Sequence, residues 1–459
     1  MSDAFSTFIA PDLETRLEEG LRHALTLGAD GAEALVSVSR SRKAKVRNGV
    51  LEDLSASKRG GLGVRVMRQG RVGLATTSNL SRPDFKDVFQ RAWELSALGD
   101  PDPWLRQAEP SQPAPLPSGF EASVEAIAPE SRIQWALALE AAARQTTPKV
   151  SAVREAAWSD GSGASLLLTQ KGVRSADLAS TCSASLELAV EDGDDRQAAW
   201  HYDLGRTPQD LDLAAIGREA ALKGLRKLHP VALAAGKYPV LLHPEVTVEL
   251  LGLVADMLSA EAVLRQRSLF AGKQGHLIAS PHLTLIDDGR FLFPDGRPGF
   301  GTEPWDGEGL LTRRNVLIEN GVLNTYLHTL GSAAEMGCEP TASAGRGAGS
   351  NPGVTTFNLF PLAGNQKPEA LYRMAEGGVL ITEIMGLHTV NPVSGDLSVG
   401  ASGLRIVDGA PAYAVDRLTF AGNLRDFLQR IAALANDLTW YGSQAGLTLL
   451  LDDMTLGGS

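Results

Sequence analysis

The chain has 459 residues, of which 43% are hydrophobic and 21% charged, and its formal net charge is −11. This length allows two or three domains with substantial cores, and the composition is that of a soluble globular protein. The negative charge argues against binding to a phosphate backbone, and two cysteines argue against a disulfide framework. No run approaches the roughly 20 apolar residues of a membrane span, and the N-terminal residues do not resemble a signal peptide, so we predict a cytoplasmic protein.

The first part of the chain predicts helices that flank an antiparallel sheet. Leucines at i, i+4 spacing predict an amphipathic helix over residues 12–27, which ends at Gly28. Four strands and a second helix are then predicted at 34–47, 50–57, 62–67, 71–76 and 83–98, with turns at 48–49, 60–61 and 69–70. This order indicates an α+β domain.

Residues 100–118 contain six prolines, including Pro113, and have no periodicity, which predicts an extended connector. Helices are predicted beyond it at 129–145 and 208–226, with strands between them at 150–158, 164–169, 173–178 and 181–203 and turns at 160–161 and 171–172. The density of glycine, proline and short apolar runs then rises. We therefore predict a two-domain α+β protein with an N-terminal helix and antiparallel-sheet domain (1–235) and a C-terminal sheet-rich domain (236–459).

The chain has one basic cluster, which comprises Arg40, Arg42, Lys43, Lys45 and Arg47. Its alternation with small or apolar residues, followed by Asn-Gly, is typical of the solvent face of a hairpin strand. The alternative is a patch that contacts an acidic ligand or partner.

The stretch from Gly236 to Arg267 begins with an apolar run over 238–243, which predicts a buried strand. Pro244 suits the first position of a helix, with Glu245 near its positive end. A histidine at such a junction is where a metallopeptidase places H-E-x-x-x-H, whose histidines bind zinc and whose glutamate is the general base. Here Pro244 occupies the glutamate position and Val248 the second histidine position, so His243 lacks its metal-binding partner.

Several further motifs occur in one order with this stretch. They are Ile286–Gly289, Phe300-Gly301, Asp306–Gly309, Ile318–Leu323, Asn391–Ser398 and Ala421–Leu424. Together they make the chain, from about residue 12 onward, resemble the TldD/PmbA family (peptidase U62, "modulator of DNA gyrase"), in its PmbA/TldE branch. The family pairs a TldD subunit, which carries H-E-x-x-x-H and a further cysteine ligand, with a TldE subunit that lacks them. This chain has no cysteine after Cys338.

The resemblance implies a subunit of a heteromeric zinc metallopeptidase that cleaves peptides or unfolded segments. It implies that zinc is bound by a TldD-like partner and not by this chain, which would be inactive alone and homodimeric in isolation. No nucleic-acid or membrane partner is expected. A metal site assembled from distant residues stays open at this point.

The candidate catalytic residues are His243 and Glu245, and the alternative is that His243 only hydrogen-bonds a neighbouring loop. The candidate peptide or partner groove comprises Asp306, Glu308, Asn391, Ser394, Gly395 and Asp396. Carboxylates beside glycine also fix tight loops, so a structural role for this set is the alternative.

Two other functions stay open from the sequence. One is a non-enzymatic binding or regulatory protein that acts alone as a homodimer. The other is an independent hydrolase with a site built from scattered residues, although no G-x-S-x-G elbow is present.

Overall fold

A computed structural model describes residues 3–112 and 114–458, so Pro113 of the predicted connector lies outside the described residues. Helices and sheets both contribute to the fold, which confirms the α+β class. None of the helices in these ranges combines the length and the apolar character needed to cross a bilayer.

The first part of the chain forms one six-stranded antiparallel sheet in the order β3-β2-β1-β4-β5-β6. Its strands are β1 (Gly31–Arg47), β2 (Val50–Arg68), β3 (Arg71–Thr77), β4 (Val150–Thr169), β5 (Arg174–Asp192) and β6 (Asp195–Gly205). Its helices are α1 (Asp3–Ser6), α2 (Leu13–Thr26), α3 (Lys86–Ser96), α4 (Pro129–Thr146) and α5 (Leu213–Arg226), with 3-10 turns at Ala122–Ala126 and Pro208–Asp210. Because β1 pairs with β4, the sheet continues across the proline-rich connector.

Two apolar layers cover this sheet. Helices α2 and α3 pack on one half, where Leu17 and Phe89 are fully buried. Helices α4 and α5 pack on the other half around Trp158 and Leu139. The predicted leucine spacing of α2 is the cause, because it places Leu13, Leu17 and Leu21 on the face that meets the sheet.

Two predicted turns in this sheet are wrong. Gly60 and Gly61 do not form a turn; they lie within β2 opposite Val38 and Ser37. Gly161 likewise lies within the continuous β4, not in a turn at 160–161. Within the predicted segment 181–203, the acidic residues around Gly193 indicate an exposed turn, and the structure has a turn there between β5 and β6, with φ +61° at Gly193. At Gly161 glycine permits close backbone approach, since a Cβ there would lie 3.1 Å from the Arg40 carbonyl oxygen.

The basic cluster of β1 is neutralised within the chain. Arg40 and Arg42 both bind Glu125, at 2.7 and 2.9 Å. Lys43 and Lys45 both bind Glu155, at 2.6 and 3.2 Å. These positive charges of β1 therefore form ion pairs within the chain.

The part from Gly236 onward contains two six-stranded sheets. One has the order β16-β15-β14-β7-β20-β17, the other β10-β9-β8-β13-β19-β18, and β11 pairs with β12 in a short ribbon. The strands are β7 (Gly236–Leu242), β8 (Leu285–Asp288), β9 (Arg314–Glu319), β10 (Val322–Leu323), β11 (Ala344–Gly345), β12 (Gly353–Val354), β13 (Leu359–Pro361), β14 (Val379–Met385), β15 (Asp396–Val407), β16 (Ala410–Asn423), β17 (Ile431–Leu434), β18 (Thr439–Tyr441), β19 (Gln444–Gly446) and β20 (Leu449–Gly457). The helices are α6 (Pro244–Met257), α7 (Ala260–Leu264), α8 (Leu330–Met336), α9 (Pro368–Met374) and α10 (Leu424–Gln429), with a 3-10 turn at Leu387–Thr389.

The predicted strand-to-helix junction lies at the centre of this part. Strand β7 pairs with β14 on one side and β20 on the other, so its end is fixed inside a sheet. Helix α6 follows directly and buries Leu250, Leu251 and Val254 in the largest apolar core. The first turn of α6 is thereby fixed relative to the C-terminal sheet that contains β7.

Candidate functional site

His243 caps helix α6. Its backbone is extended (φ −65°, ψ 149°), and its Nδ1 accepts a hydrogen bond of 3.3 Å from the Glu245 N–H. Pro244 fills the first helical position, where a missing N–H has no cost. Both candidate catalytic residues therefore belong to the helix start that the sequence predicted.

A charged group from the first sheet faces this helix start. The Lys223 ammonium of α5 forms an ion pair with the Glu245 carboxylate. His201 Nδ1 of β6 lies 3.9 Å from the same carboxylate and, although buried, has no hydrogen-bond partner among the described residues. The sequence did not indicate a role for Lys223 or His201. They lie on α5 and β6, far from Glu245 in the chain, and neither belongs to a recognisable motif.

Burial sets the protonation of the two imidazoles. It lowers the pKa of His201, and the Lys223 charge lowers it further against the opposing effect of Glu245. Burial likewise is the largest effect on His243 and lowers its pKa. Both rings are therefore neutral near pH 7, and either can accept or donate a hydrogen bond.

The residues around His243 do not fit a zinc ion. The described ranges contain no group of three His, Cys, Asp or Glu side chains that could hold a metal. The Lys223 ammonium already neutralises Glu245. The Val248 side chain faces β19 so closely that a Cβ on Gly446 would lie 2.9 Å from its Cγ2. Zinc sites need three or four nitrogen, sulfur or carboxylate ligands, which this junction does not supply.

A cleft of about 300 Å³ opens beside this junction, between the first sheet and the C-terminal part. Its walls are the end of β6 and strand β18, and each is the outermost strand of its sheet. Arg206 lies against the Phe300 ring, 4.6 Å from its centroid, and donates to the backbone oxygens of Ser180 and Gly299. The cleft is rich in aromatic side chains, namely Tyr202, Phe293, Phe300, Trp440 and Tyr441.

Asp306 and Glu308 lie in a different place, near the first sheet. Asp306 is 3% exposed and accepts hydrogen bonds of 2.9 Å from the N–H groups of Glu308 and Leu310. Burial raises the pKa of Asp306 to about 6 despite these donors. The Asp306 carboxylate therefore fixes its own glycine loop, as the structural alternative predicted.

Glu308 lines a second cavity, of about 590 Å³, together with Arg65 of β2. Its carboxylate accepts a 2.8 Å hydrogen bond from the Leu330 N–H at the start of α8. Burial, followed by the Asp306 charge, raises the pKa of Glu308 to about 8. Of the predicted groove residues, Glu308 is the one that faces this cavity.

A buried ion cluster beside this cavity joins the two parts of the chain. Glu33 of β1 accepts from Arg65 at 2.8 Å and from Arg346 at 2.5 Å, and all three side chains are nearly inaccessible. Arg65 also donates to the Asn351 side chain at 3.0 Å. No sequence motif indicated this cluster.

The remaining predicted groove residues form one exposed tight turn. The Asn391 side chain accepts from the N–H groups of Val393 and Ser394, at 2.9 and 3.1 Å. Ser394 Oγ donates to Asp396 at 2.6 Å, and Asn423 binds Asp396 at 2.9 Å. The two motifs that contain Asn391 and Asn423 thus stabilise each other.

The cysteines do not provide an activated nucleophile. Cys338 Sγ lies 3.6 Å from His328 Nε2, but burial raises the pKa of the thiol and lowers the pKa of His328 to about 4. Both groups are neutral near pH 7, whereas a reactive cysteine requires a thiolate. Cys182 is buried, and its pKa rises to about 12.

We expect Gly395→Ala to lower the free energy of unfolding by about 2–3 kcal/mol, because a Cβ at φ +80° would lie 2.8 Å from the buried Leu269. Gly272→Ala is the matched control, since Gly272 has φ +69° and no atom within 4 Å of the added Cβ. Urea denaturation should show a cost of about 1 kcal/mol for the control. Equal losses would contradict tight packing at Gly395.

We expect the free energy of unfolding to fall as pH rises from 5 to 8.5, in part because of Glu308. Its pKa is raised in the folded state, so the folded protein binds the proton more tightly and loses that advantage above the unfolded pKa. Glu308→Gln should reduce this fall by about 1–2 kcal/mol, measured by urea denaturation at both pH values. Glu19→Gln, at an exposed position of α2, should leave the fall unchanged.

The matches to known proteins cover nearly the whole chain. Residues 32–96, 123–228 and 235–458 match family profiles described as PmbA/TldA metallopeptidase domain 1, central domain and C-terminal domain. Metalloprotease PmbA of Escherichia coli O157:H7 is 28% identical over 451 residues, 96% of each chain. The metalloprotease PmbA homolog of Haemophilus influenzae (strain ATCC 51907 / DSM 11121 / KW20 / Rd) is 26% identical over 99% of each.

The fold is similar to that of a solved structure from an archaeon. TldE from Thermococcus kodakarensis superposes with a TM-score of 0.86 at 21% identity, and the match covers 96% of this chain and 100% of that one. At 21% sequence identity, this comparison shows similarity of the fold only.

Proposed function

Because this chain belongs to the PmbA/TldD family of metallopeptidases, in its PmbA/TldE branch, we propose that it is the subunit of a heteromeric zinc peptidase that does not hold the metal. A TldD-like partner would carry the zinc and the general base. The observation behind this proposal is the junction at His243. There Pro244 and Val248 stand at the glutamate and second histidine positions of H-E-x-x-x-H, and Lys223 forms an ion pair with Glu245.

The proposed contribution of this chain is to bind substrate and complete the enclosed site. Strands β6 and β18 both present an unpaired edge to the cleft of about 300 Å³. An extended peptide can add to such an edge through main-chain hydrogen bonds, which give affinity with little sequence preference. The aromatic walls add contact area for side chains of varied chemistry. Peptides and unfolded segments are therefore the proposed substrates.

The metal assignment is tested on the full chain, alone and mixed with a TldD-like protein. We expect less than 0.1 zinc per chain by elemental analysis of the lone chain, and peptidase activity only in the complex. His243→Asn keeps a good helix cap but removes the imidazole. Turnover of that complex should stay within about threefold of the original, because a residue outside the chemistry contributes little to the transition state.

Two results would refute the metal assignment. One is stoichiometric zinc in the lone chain; the other is a loss of a hundredfold or more in the turnover of the His243→Asn complex. An inactive but verified complex would instead favour a non-enzymatic binding protein.

Peptide binding is tested with an unstructured hexapeptide and the same peptide N-methylated at alternate amides. We expect N-methylation to weaken binding by about tenfold, because it removes main-chain donors that pair with a strand edge. Thr439→Trp, on the exposed start of β18 in the cleft, should weaken binding of the parent peptide. Gln90→Trp, on an exposed position of α3, is the control, and equal effects of the two variants would exclude the cleft.

A further inference from the structure

The cavity of about 590 Å³ beside the buried ion cluster has walls from both parts of the chain. Strands β2 and β3 and residues 99–106 line it from one side, and helices α7 and α8 line it from the other. Leu105 and Leu264 give part of the wall an apolar surface. The volume lies in the range of small-molecule sites, about 300–1,000 Å³. A molecule bound here would therefore contact both parts of the chain.

Arg65 presents an unpaired donor to this cavity. Its side chain is 6% exposed, its Nη1 donates to Glu33 at 2.8 Å and its Nε donates to Asn351 at 3.0 Å. The remaining nitrogen, Nη2, is accessible and has no hydrogen-bond partner in the described part of the chain. A guanidinium whose position is already fixed binds a carboxylate at little entropic cost.

Glu308 also lines the cavity and supplies a second donor. Its Oε2 accepts a 2.8 Å hydrogen bond from the Leu330 N–H, and its Oε1 has no partner within residues 3–112 and 114–458. Burial raises the pKa of Glu308 to about 8, so the carboxyl group is protonated at pH 7 and can donate. The charged groups that act on it are Asp306, Arg65, Glu33 and Arg346. Arg65 and Glu308, which we call the floor, can therefore both donate to one anionic ligand group.

The accessible rim of the cavity carries mainly the opposite charge. It comprises Asp100, Asp102, Glu261, Glu335, Arg106 and Arg265. The four carboxylates outnumber the two guanidinium groups, and none of the six forms an ion pair with a residue that the structure describes. Arg106 instead donates to the backbone oxygens of Pro103 and Leu105. The rim therefore favours a cationic ligand group.

We propose that this cavity binds a short zwitterionic peptide of about dipeptide size, with its carboxylate at the floor and its ammonium group at the rim. A simple cation would meet the Arg65 guanidinium, and a phosphate ester would meet the rim carboxylates, so neither matches both ends. The apolar wall and Trp104, which is 38% exposed, offer contact area to the ligand side chains.

This site is separate from the aromatic cleft between β6 and β18. The two cavities share no lining residue. The cleft is proposed to bind an extended peptide through main-chain hydrogen bonds, whereas the floor and rim select the two end charges. The inference does not rest on the proposed peptidase role.

The two end charges are tested by calorimetry of the full chain at pH 7 with the dipeptide Leu-Leu. We expect binding of the free dipeptide, and binding at least about tenfold weaker after N-acetylation or after C-terminal amidation, because each change removes a charge-assisted contact. Equal binding of all three forms, or no binding of Leu-Leu at millimolar concentration, overturns the proposal.

The location is tested with variants that act on one cavity only. Leu105→Trp fills this cavity and should weaken Leu-Leu binding at least about tenfold, whereas Leu98→Trp, at a position that is 82% exposed and outside the cavity, should not. Arg65→Lys keeps a positive charge for Glu33 but removes Nη2, and should also weaken binding about tenfold. Thr439→Trp in the aromatic cleft should leave Leu-Leu binding unchanged; a loss there with full binding by Leu105→Trp would refute this location.

The role of Glu308 is tested by the pH dependence of the same titration. Between pH 7 and pH 9 the protonated fraction of Glu308 falls about tenfold, so binding to the original chain should weaken by about that factor beyond the effect of the ligand's own ammonium group. Glu308→Gln keeps a neutral donor and should bind within about threefold at pH 7 and lose only the ligand's share at pH 9. An equal loss in both proteins would contradict donation by Glu308.

Discussion

The ion pair between Lys223 and Glu245 is the interaction on which the functional interpretation depends. It joins helix α5 of the first sheet to the first turn of α6 in the C-terminal part, beside His201 in the wall of the aromatic cleft. It also places a positive charge against the first turn of α6, beside the helix start at His243. Since like charges repel strongly at a partly buried site, the same pair that orders the cleft disfavours a metal there.

The first sheet connects this site to the rest of the molecule, because the β6 edge and the part of β2 that extends beyond β3 face different surroundings. The β6 edge lies in the cleft next to Glu245, whereas the β2 edge extends into solvent at the other end of the sheet. Between them, Glu33, Arg65 and Arg346 tie the sheet to the C-terminal part through buried charges. Breaking such a buried cluster leaves an uncompensated charge, so it resists rearrangement of the two parts. The sheet is therefore held in one position relative to the C-terminal part, and the β6 edge keeps its place in the cleft.

Features that depend on neighbouring residues could be predicted from the sequence. Features that depend on strand register or on contacts between distant parts of the chain could not. The predicted α2 helix, the turn at Asn48-Gly49 and the start of α6 at Pro244 are all found, because each depends on neighbouring residues. Gly60-Gly61 and Gly161 were assigned to turns, although contacts with distant strands keep them extended. For Asp396 the sequence could not show that Asn423, 27 residues further along the chain, donates to its carboxylate, and the predicted groove role of this turn stays a prediction. His201 and Lys223 had no detectable signal, since only the tertiary fold brings them to Glu245.

The residues at the His243 junction fix its geometry through contacts within the chain. Here the His243 ring caps the helix, Pro244 supplies a preformed first turn and Glu245 forms an ion pair between elements. Val248 adds apolar contact with β19 in place of a polar ligand. The junction thus keeps its geometry through ordinary capping, packing and charge pairing, and that geometry is what a partner subunit or an extended peptide would meet.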